Sequence, residues 1–121
     1  PAAMVEAVAL GVDQFDCVMQ TRLGRHGTAL TGDGRLNLKR QEFAESDAPI
    51  DAACPCDVCA RHSRGYLRHL FKAAEPTASR LVSVHNVTWT LDLMGRMRAA
   101  IEAGTFDDLR RRILSVWADG G

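Results

Sequence analysis

The 121-residue sequence lacks an excess of either charge, because 15 lysine and arginine residues balance 15 aspartate and glutamate residues. A protein that coats nucleic acid without sequence preference is usually basic, so any contact with nucleic acid should be confined to a local patch. The sequence also lacks an apolar run of about 18 residues, so no membrane-spanning helix is expected. It has no internal repeat and no low-complexity segment, and 46% of its residues are hydrophobic. These features predict one globular domain.

Cysteine is scarce, yet three of the four cysteines fall within the run Cys54-Pro-Cys56-Asp-Val-Cys59. Zinc prefers thiolate and imidazole ligands in closed tetrahedral structural sites, so three thiols and one histidine predict such a site. A redox CxxC pair would explain only two of the thiols. A disulfide would leave one thiol over and would close a loop of one or two residues, which the geometry of the bond disfavours. Zinc is the favoured interpretation, and reduced metal-binding cysteines indicate a cytosolic compartment.

The spacing leaves the fourth zinc ligand open between two histidines. His62 follows Cys59 by three residues and would complete a compact knuckle, whereas His85 follows it by 26 and would tie a second segment to the first. His26 and His69 are less suited, because a lone histidine on a helix is more often solvated or hydrogen-bonded than metal-bound.

Asp16 stands out because it interrupts an apolar segment, Phe15 to Met19, that is predicted to form a short buried strand. An unpaired buried carboxylate is costly, so Asp16 needs a partner or a function. The structural interpretation, which the local sequence favours, is a loop cap or an ion pair with Arg22 or Arg25. The functional interpretation is a catalytic carboxylate at the end of a barrel strand.

Arg22 and Arg25 lie in the segment Thr21 to Gly27, whose two glycines predict a loop. The two guanidinium groups are either solvated charges or planar donors that bind phosphates or base edges. The local sequence does not separate these two alternatives.

The remaining segments predict one hairpin and several helices. Ala2 to Leu10 reads as a helix that ends at Gly11, and Thr28 to Lys39 reads as a hairpin around an Asp-Gly turn. A first apolar stripe at helical spacing runs from Val58 to Ala74, and Gly65 within it indicates a close packing contact.

Two further helices follow in the last third of the sequence. The first is predicted to bury one apolar stripe, made of Leu81, Val84, Val87, Leu91, Met94, Met97 and Ile101. Gly104 is expected to end this helix, and Thr105 with Asp108 resembles a capping box at the start of the next. That last helix should bury Phe106, Leu109, Ile113, Val116 and Trp117.

Five segments, taken in this order and spacing, are highly specific. They are Gly11–Val18 (GVDQFDCV), Thr21–Gly27 (TRLGRHG), Cys54–Cys59 (CPCDVC), His62–Leu70 (HSRGYLRHL) and His85-Asn86. Together they resemble the C-terminal part of tRNA-guanine transglycosylase, the queuine tRNA-ribosyltransferase family, and the similarity covers nearly the whole chain. Enzymes of this family exchange guanine at the tRNA wobble position for a 7-deazaguanine in the queuosine pathway.

The resemblance implies an α/β fold, namely the C-terminal fragment of a (β/α)8 TIM barrel with an inserted zinc-binding subdomain. This piece should be mostly helical, with a short strand and a β-hairpin. Residues 1–27 would form the last barrel strand region and an RNA-recognition loop, and residues 28–121 the zinc-binding subdomain and C-terminal helices. The implied partners are the tRNA anticodon loop, a guanine or 7-deazaguanine base and a second copy of the enzyme, without a membrane.

The resemblance also implies residue roles. Asp16 would attack ribose C1′, expel guanine and form a covalent ribosyl-enzyme, which is the double-displacement logic of a carboxylate nucleophile. The target nucleotide would have to leave its stack to reach it. The implied RNA-binding residues are Thr21, Arg22, Leu23, Gly24 and Arg25. The implied Zn²⁺ ligands are Cys54, Cys56, Cys59 and His85, which selects His85 over His62.

The sequence departs from the family pattern in several places. Gln20 stands where bacterial members often carry proline, and Ala2-Ala3 replaces acidic residues. The second catalytic aspartate and the guanine pocket of the family lie upstream. Because the sequence starts at Pro1 with residues typical of mid-domain sequence, we expect a piece of a longer enzyme, inactive by itself. The alternative is a stand-alone zinc-stabilised tRNA-binding or partner-subunit module without catalysis.

Overall fold

Helices dominate the structure, which a computed structural model describes for residues 1–119. The elements are α1 (Ala2–Ala9), α2 (Met19–Arg25), β1 (Thr28–Thr31), β2 (Gly34–Asn37), a 3₁₀ turn (Gln41–Phe43), α3 (Asp57–Arg61), α4 (Arg64–Lys72), α5 (Pro76–Ala103) and α6 (Phe106–Trp117). The mostly helical character and the hairpin are as the sequence predicts. No helix in this described range is both long and apolar enough to cross a membrane.

The hairpin joins β1 and β2 in antiparallel register, with Thr28 opposite Asn37 and Thr31 opposite Gly34. The Thr31 hydroxyl donates to the carbonyl of Gly34 at 2.7 Å. Gly34 has a φ of 113°, a conformation that a residue without Cβ adopts at little cost. The turn chemistry read from the sequence is therefore confirmed.

Two predictions for the N-terminal part are wrong. Phe15 to Met19 is not a strand, because residues 12–18 have no regular structure and α2 begins at Met19. A strand needs a neighbour for its backbone groups, and in residues 1–119 the two strands pair only with each other. Thr21 to Gly27 is not a loop either, since most of it forms α2.

The helical state of α2 depends on a close approach to α5. A Cβ added to Gly24 would lie 2.8 Å from the backbone nitrogen of Ser83 and 2.9 Å from its Cα. The glycine therefore serves helix packing rather than flexibility. The Ser79 hydroxyl also donates to the carbonyl of Arg25 at 3.3 Å, which holds the C-terminal end of α2 on α5.

The predicted inner face of α5 is also wrong. Leu91 is 64% exposed and Ile101 is 54% exposed, and Val84 and Val87 are exposed as well. The residues of α5 that are buried are Ala78, Val82, His85, Asn86, Trp89, Thr90, Leu93, Met97 and Ala100. Met97 belongs both to the predicted stripe and to the residues that are buried in the structure. Apolar residues occur on two faces of this 28-residue helix, so apolar periodicity alone could not select the inner one.

The predicted stripe from Val58 to Ala74 is divided between α3 and α4. His62 and Ser63 adopt extended backbone conformations, and the Ser63 hydroxyl accepts from the amide of Tyr66 to cap α4. A Cβ on Gly65 would lie 2.9 Å from the carbonyl oxygen of Ser46, which confirms the close packing expected there.

Of the two predictions for the connection between α5 and α6, the end of α5 at Gly104 is confirmed and the capping box at Thr105 is wrong. Gly104 ends α5 in the left-handed conformation, with a φ of 72°, as expected. Thr105 makes no side-chain capping bond, because its backbone (φ −114°, ψ 16°) is not in the extended conformation of an N-cap. Asp108 instead pairs with Arg111 on the same helix.

Two apolar clusters form the core on either side of the hairpin. The first joins α1, β1, α5 and α6 and contains Val5, Leu30, Trp89, Leu93, Met97, Ala100, Leu109, Ile113 and Trp117. The second joins the hairpin to the cysteine run and α4 and contains Ala29, Leu38, Ile50, Cys56, Val58, Leu67 and Val82. In addition, the Arg110 guanidinium donates two hydrogen bonds to the Glu6 carboxylate and ties α6 to α1.

We expect Gly24→Ala to lower the free energy of unfolding by about 1–3 kcal/mol, because the added methyl group must displace α2 from the Ser83 backbone. Urea denaturation of the zinc-loaded protein measures this change. Gly95→Ala on α5 is the matched control, since its Cβ would meet only the Arg98 side chain at 3.9 Å. The control should gain about 0.5–1 kcal/mol from helix propensity. Equal effects at both positions would contradict the packing interpretation.

Candidate metal centre and carboxylate groove

The cysteine run is shaped by local backbone hydrogen bonds. Cys56 is the N-cap of α3, and its sulfur accepts from the amide of Cys59 at 3.3 Å. Upstream, the Asp51 carboxylate accepts from the amide of Ala53 at 2.9 Å and from the amide of Gly32 at 2.8 Å. Asp51 thus fixes the start of the run to the hairpin turn.

Four side chains converge where this run meets α5. The ligand atoms of Cys54, Cys56, Cys59 and His85 all lie within 4.8 Å of one another. Nδ1 of His85 is 3.4 Å from the Cys56 sulfur and 3.3 Å from the Cys59 sulfur. Ligand atoms around a tetrahedral zinc ion lie about 3.5–3.8 Å apart, so the donor set fits this metal without large movement.

The hydrogen bond on the far side of the imidazole ring fixes which nitrogen faces the thiols. Nε2 of His85 lies 2.7 Å from the carbonyl oxygen of Leu30. A carbonyl can only accept, so Nε2 carries the hydrogen and Nδ1 presents its lone pair to the metal position. Burial lowers the pKa of His85, and the Leu30 carbonyl and the Asp51 charge offset this only in part. The lowered pKa favours the neutral form of the ring, which is the form that binds metal.

Two of the thiols, those of Cys54 and Cys59, hold protons when no metal is bound. Burial, reinforced by the neighbouring thiols, raises the pKa of Cys54 to about 12 and that of Cys59 to about 11. Zinc binds thiolates, so its binding releases these protons and its charge compensates the sulfur charges. The zinc prediction is confirmed by this cluster.

The other candidate metal ligands lie apart from this cluster. The His62 ring stacks on Tyr66, with ring centroids 5.2 Å apart. His69 and Cys17 also fall outside the group of converging side chains among residues 1–119. The histidine in the centre is thus the one that arrives from α5, a long-range contact that spacing within the cysteine run could not identify.

Asp16 occupies a different part of the surface. Its side chain is exposed and lines an open groove of about 790 Å³, together with Phe15, Leu91, Met94 and Arg98. It makes no ion pair within the described residues, so the expected pairing with a neighbouring arginine is absent there. Nearby, the Cys17 sulfur accepts from the amide of the first residue of α2 at 3.4 Å.

The segment predicted to bind RNA presents only part of its side chains outward. Arg22 and Arg25 are exposed in the last turn of α2, and Thr21 is half-buried. Leu23 packs against the first core cluster, and Gly24 is buried against α5. The two guanidinium groups are therefore available to a partner, while Leu23 and Gly24 position the helix.

Asn86 is a functional candidate that the sequence pattern did not assign. It is fully buried, and its side chain hydrogen-bonds to Gln20, Thr28 and Leu30. The available signal was the polar pair His85-Asn86 inside an otherwise apolar helical pattern. A buried amide of this kind requires partners, but the sequence does not show where they lie.

A closed Cys3His centre on a small helical scaffold defines a zinc-stabilised protein. The sequence profile described as queuine tRNA-ribosyltransferase matches residues 1–119, and the chain belongs to this family. A queuine tRNA-ribosyltransferase of Nitratidesulfovibrio vulgaris (strain DP4) is 49% identical over 119 residues, which are 98% of this chain and 32% of that protein. Those of Oleidesulfovibrio alaskensis and Symbiobacterium thermophilum are each 45% identical, over 97% and 99% of this chain and 31% and 30% of their own lengths. The chain thus spans about a third of these relatives and corresponds to their C-terminal part.

We expect His85→Ala to abolish stoichiometric zinc binding, because three thiols alone leave the tetrahedral site open. His62→Ala is the matched control and should retain the metal, since His62 stacks on Tyr66 instead. Elemental analysis of the purified variants measures the zinc content. Loss of zinc from the His62 variant with retention in the His85 variant would overturn this ligand assignment.

Zinc affinity should fall steadily as the pH is lowered from about 8 to about 6. The raised pKa values of Cys54 and Cys59 keep these thiols protonated throughout this range, so protons compete with zinc and the competition grows as pH falls. We expect a loss of at least ~10-fold per pH unit, measured against a chelator of known pH dependence. Cys17→Ser should leave the profile unchanged, and an affinity independent of pH would contradict proton displacement.

Proposed function

We propose that this chain is the C-terminal part of a tRNA-guanine transglycosylase, a pentosyltransferase of the queuosine pathway. The observation that carries the proposal is the exposed carboxylate of Asp16, unpaired within residues 1–119, in a chain that belongs to the queuine tRNA-ribosyltransferase family. The activity is proposed for the longer enzyme, because the chain spans only about a third of its relatives. This piece alone is expected to be inactive.

In the proposed reaction, Asp16 is the nucleophile. One carboxylate oxygen forms a bond to ribose C1′ of the wobble nucleotide while the bond from C1′ to guanine breaks, and the bonding electron pair leaves with the base. A 7-deazaguanine base then attacks C1′ and releases the carboxylate, so configuration is retained overall. A group outside this chain has to protonate the departing guanine and then accept the ring N–H proton that the incoming base loses. Zinc, when bound, supplies a structural cross-link and takes no part in these steps.

Recognition of the tRNA is proposed to involve α2. The exposed guanidinium groups of Arg22 and Arg25 can bind phosphates or base edges of the anticodon loop, and Thr21 lies beside them. A neutral chain suits such local recognition better than non-specific binding along the RNA. The wobble nucleotide has to leave its stack to reach Asp16.

The TIM-barrel assignment is likewise a proposal, supported by surfaces that residues 1–119 leave uncovered. Val84, Val87 and Leu91 form an exposed apolar face on α5. Such a contiguous apolar surface is typical of an interface. We propose that upstream barrel elements cover this face, and that the irregular segment 12–18 pairs with a neighbouring strand in the complete enzyme.

Three further features are proposed on the family resemblance. The division into a barrel region, residues 1–27, and a zinc-binding region, residues 28–121, belongs to the same barrel hypothesis; residues 120–121 lie outside the described range. A homodimer and a cytoplasmic location are proposed for the complete enzyme, and the reduced thiols of the metal centre suit that compartment. A catalytically silent tRNA-binding module remains the competing interpretation.

In the complete enzyme, we expect Asp16→Asn to abolish the covalent tRNA adduct, because the amide of asparagine is a poor nucleophile. The tRNA affinity should stay within about threefold of that of the unsubstituted enzyme, because asparagine and aspartate have similar shapes. A denaturing gel with radiolabelled tRNA detects the adduct, and filter binding measures the affinity. Asp13→Asn is the matched control, since Asp13 is another exposed carboxylate of the same segment. An adduct that persists in the Asp16 variant would exclude this nucleophile. If the unsubstituted enzyme binds tRNA but forms no adduct, the module interpretation replaces the catalytic one.

A further inference from the structure

The buried side chain of Asn86 connects its own helix, α5, to two other elements, α2 and β1. Its Nδ2 group donates to the carbonyl of Gln20 in α2 and to the carbonyl of Thr28 at the start of β1, both at 3.0 Å. Its Oδ1 accepts from the amide of Leu30 in β1 at 2.9 Å. Asn86 is 0% exposed, so water does not replace these bonds if they are lost.

Leu30 of β1 is also bound by His85, the zinc ligand adjacent to Asn86. The carbonyl of Leu30 accepts from Nε2 of His85 at 2.7 Å, while its amide donates to Asn86. His85 and Asn86, which are consecutive in α5, therefore bind the backbone carbonyl and the backbone amide of Leu30. The orientation of the His85 ring and that of the Asn86 side chain are therefore both tied to the backbone of Leu30.

Two further contacts between α2 and α5 involve serines that do not bond to the metal centre. Ser79 reaches the carbonyl of Arg25, and Ser83 packs against Gly24. Neither serine hydrogen-bonds to Leu30 or to a zinc ligand within residues 1–119. Asn86 is thus the described side chain that is bonded both to α2 and to the backbone that orients His85.

We propose that Asn86 is a positioning residue that couples zinc binding to the placement of α2, and through α2 to the presentation of Arg22 and Arg25. The coupling between the zinc site and α2 stands on the geometry alone. Only its last consequence, altered tRNA binding, rests on the proposed function.

The experiment compares Asn86→Ala with Ser79→Ala in the zinc-loaded protein. Asn86→Ala should weaken zinc binding about 10-fold, a typical effect of removing a partner outside the ligand shell. It should also accelerate amide hydrogen exchange in α2 by at least ~10-fold relative to α6, which makes no hydrogen bond to Asn86, His85 or Leu30 within residues 1–119. Ser79→Ala removes a bond to α2 without touching Leu30, so it should leave zinc affinity unchanged.

Two results would overturn the coupling. The first is a zinc affinity in Asn86→Ala that equals that of the unsubstituted protein. The second is an exchange rate that rises equally in α2 and α6, which indicates a general loss of stability rather than a positioning role. If Asn86→Ala does not fold, the unsubstituted protein is stripped of zinc with a chelator. Selective loss of protection in α2 supports the coupling, and unchanged protection of α2 contradicts it.

A tRNA-binding measurement on the complete enzyme separates the coupling from the proposed function. If Arg22→Ala and Arg25→Ala leave tRNA affinity unchanged while the zinc and exchange effects of Asn86→Ala hold, the RNA contact of α2 is wrong and the coupling stands. If the arginine variants weaken tRNA binding while Asn86→Ala leaves zinc affinity and α2 exchange unchanged, the RNA contact stands and the coupling is wrong. When both are correct, all three variants weaken tRNA binding.

Discussion

The bond between the zinc ligand His85 and the carbonyl of Leu30 is the interaction on which the arrangement of the other elements depends. It joins a metal centre formed by a short cysteine run to the hairpin and the longest helix. A structural zinc site can contribute on the order of 10 kcal/mol to folding, which is comparable to the whole stability of a small domain. The two core clusters meet around the hairpin strand that this bond holds. Metal binding and hydrophobic packing therefore stabilise the same arrangement.

Buried polar groups, rather than apolar ones, determine the rotation of α5. This helix carries apolar residues on two faces, so hydrophobic burial alone leaves its orientation ambiguous. His85 and Asn86 remove the ambiguity, because each requires specific partners once it is buried. These partners are the thiols and the backbone of β1 and α2. The exposed apolar face of α5 is then left for another part of the complete enzyme, as proposed above.

Local chemistry made several features predictable. The Asp-Gly hairpin turn, the end of α5 at Gly104 and the close contact at Gly65 all follow from the conformational freedom or small size of glycine. The three thiols predicted zinc because few other chemistries use that spacing. Spacing left the histidine undecided, since His62 is close in sequence and His85 is not. The choice depended on a long-range contact, which the family resemblance anticipated and the geometry supports.

The predictions that proved wrong share one physical cause, their dependence on contacts with distant parts of the chain. Phe15 to Met19 has the composition of a strand, but strand formation requires hydrogen-bonding neighbours that residues 1–119 do not supply. The segment around Gly24 has the composition of a loop, yet it is helical because its glycine allows α2 to pack against Ser83. The sequence by itself thus determined the metal, the turn positions, most of the helices and the family. The tertiary structure alone decided which face of α5 is buried, that α2 is a helix, and how Asn86 links α2 to the zinc site, because these depend on contacts between residues far apart in the chain.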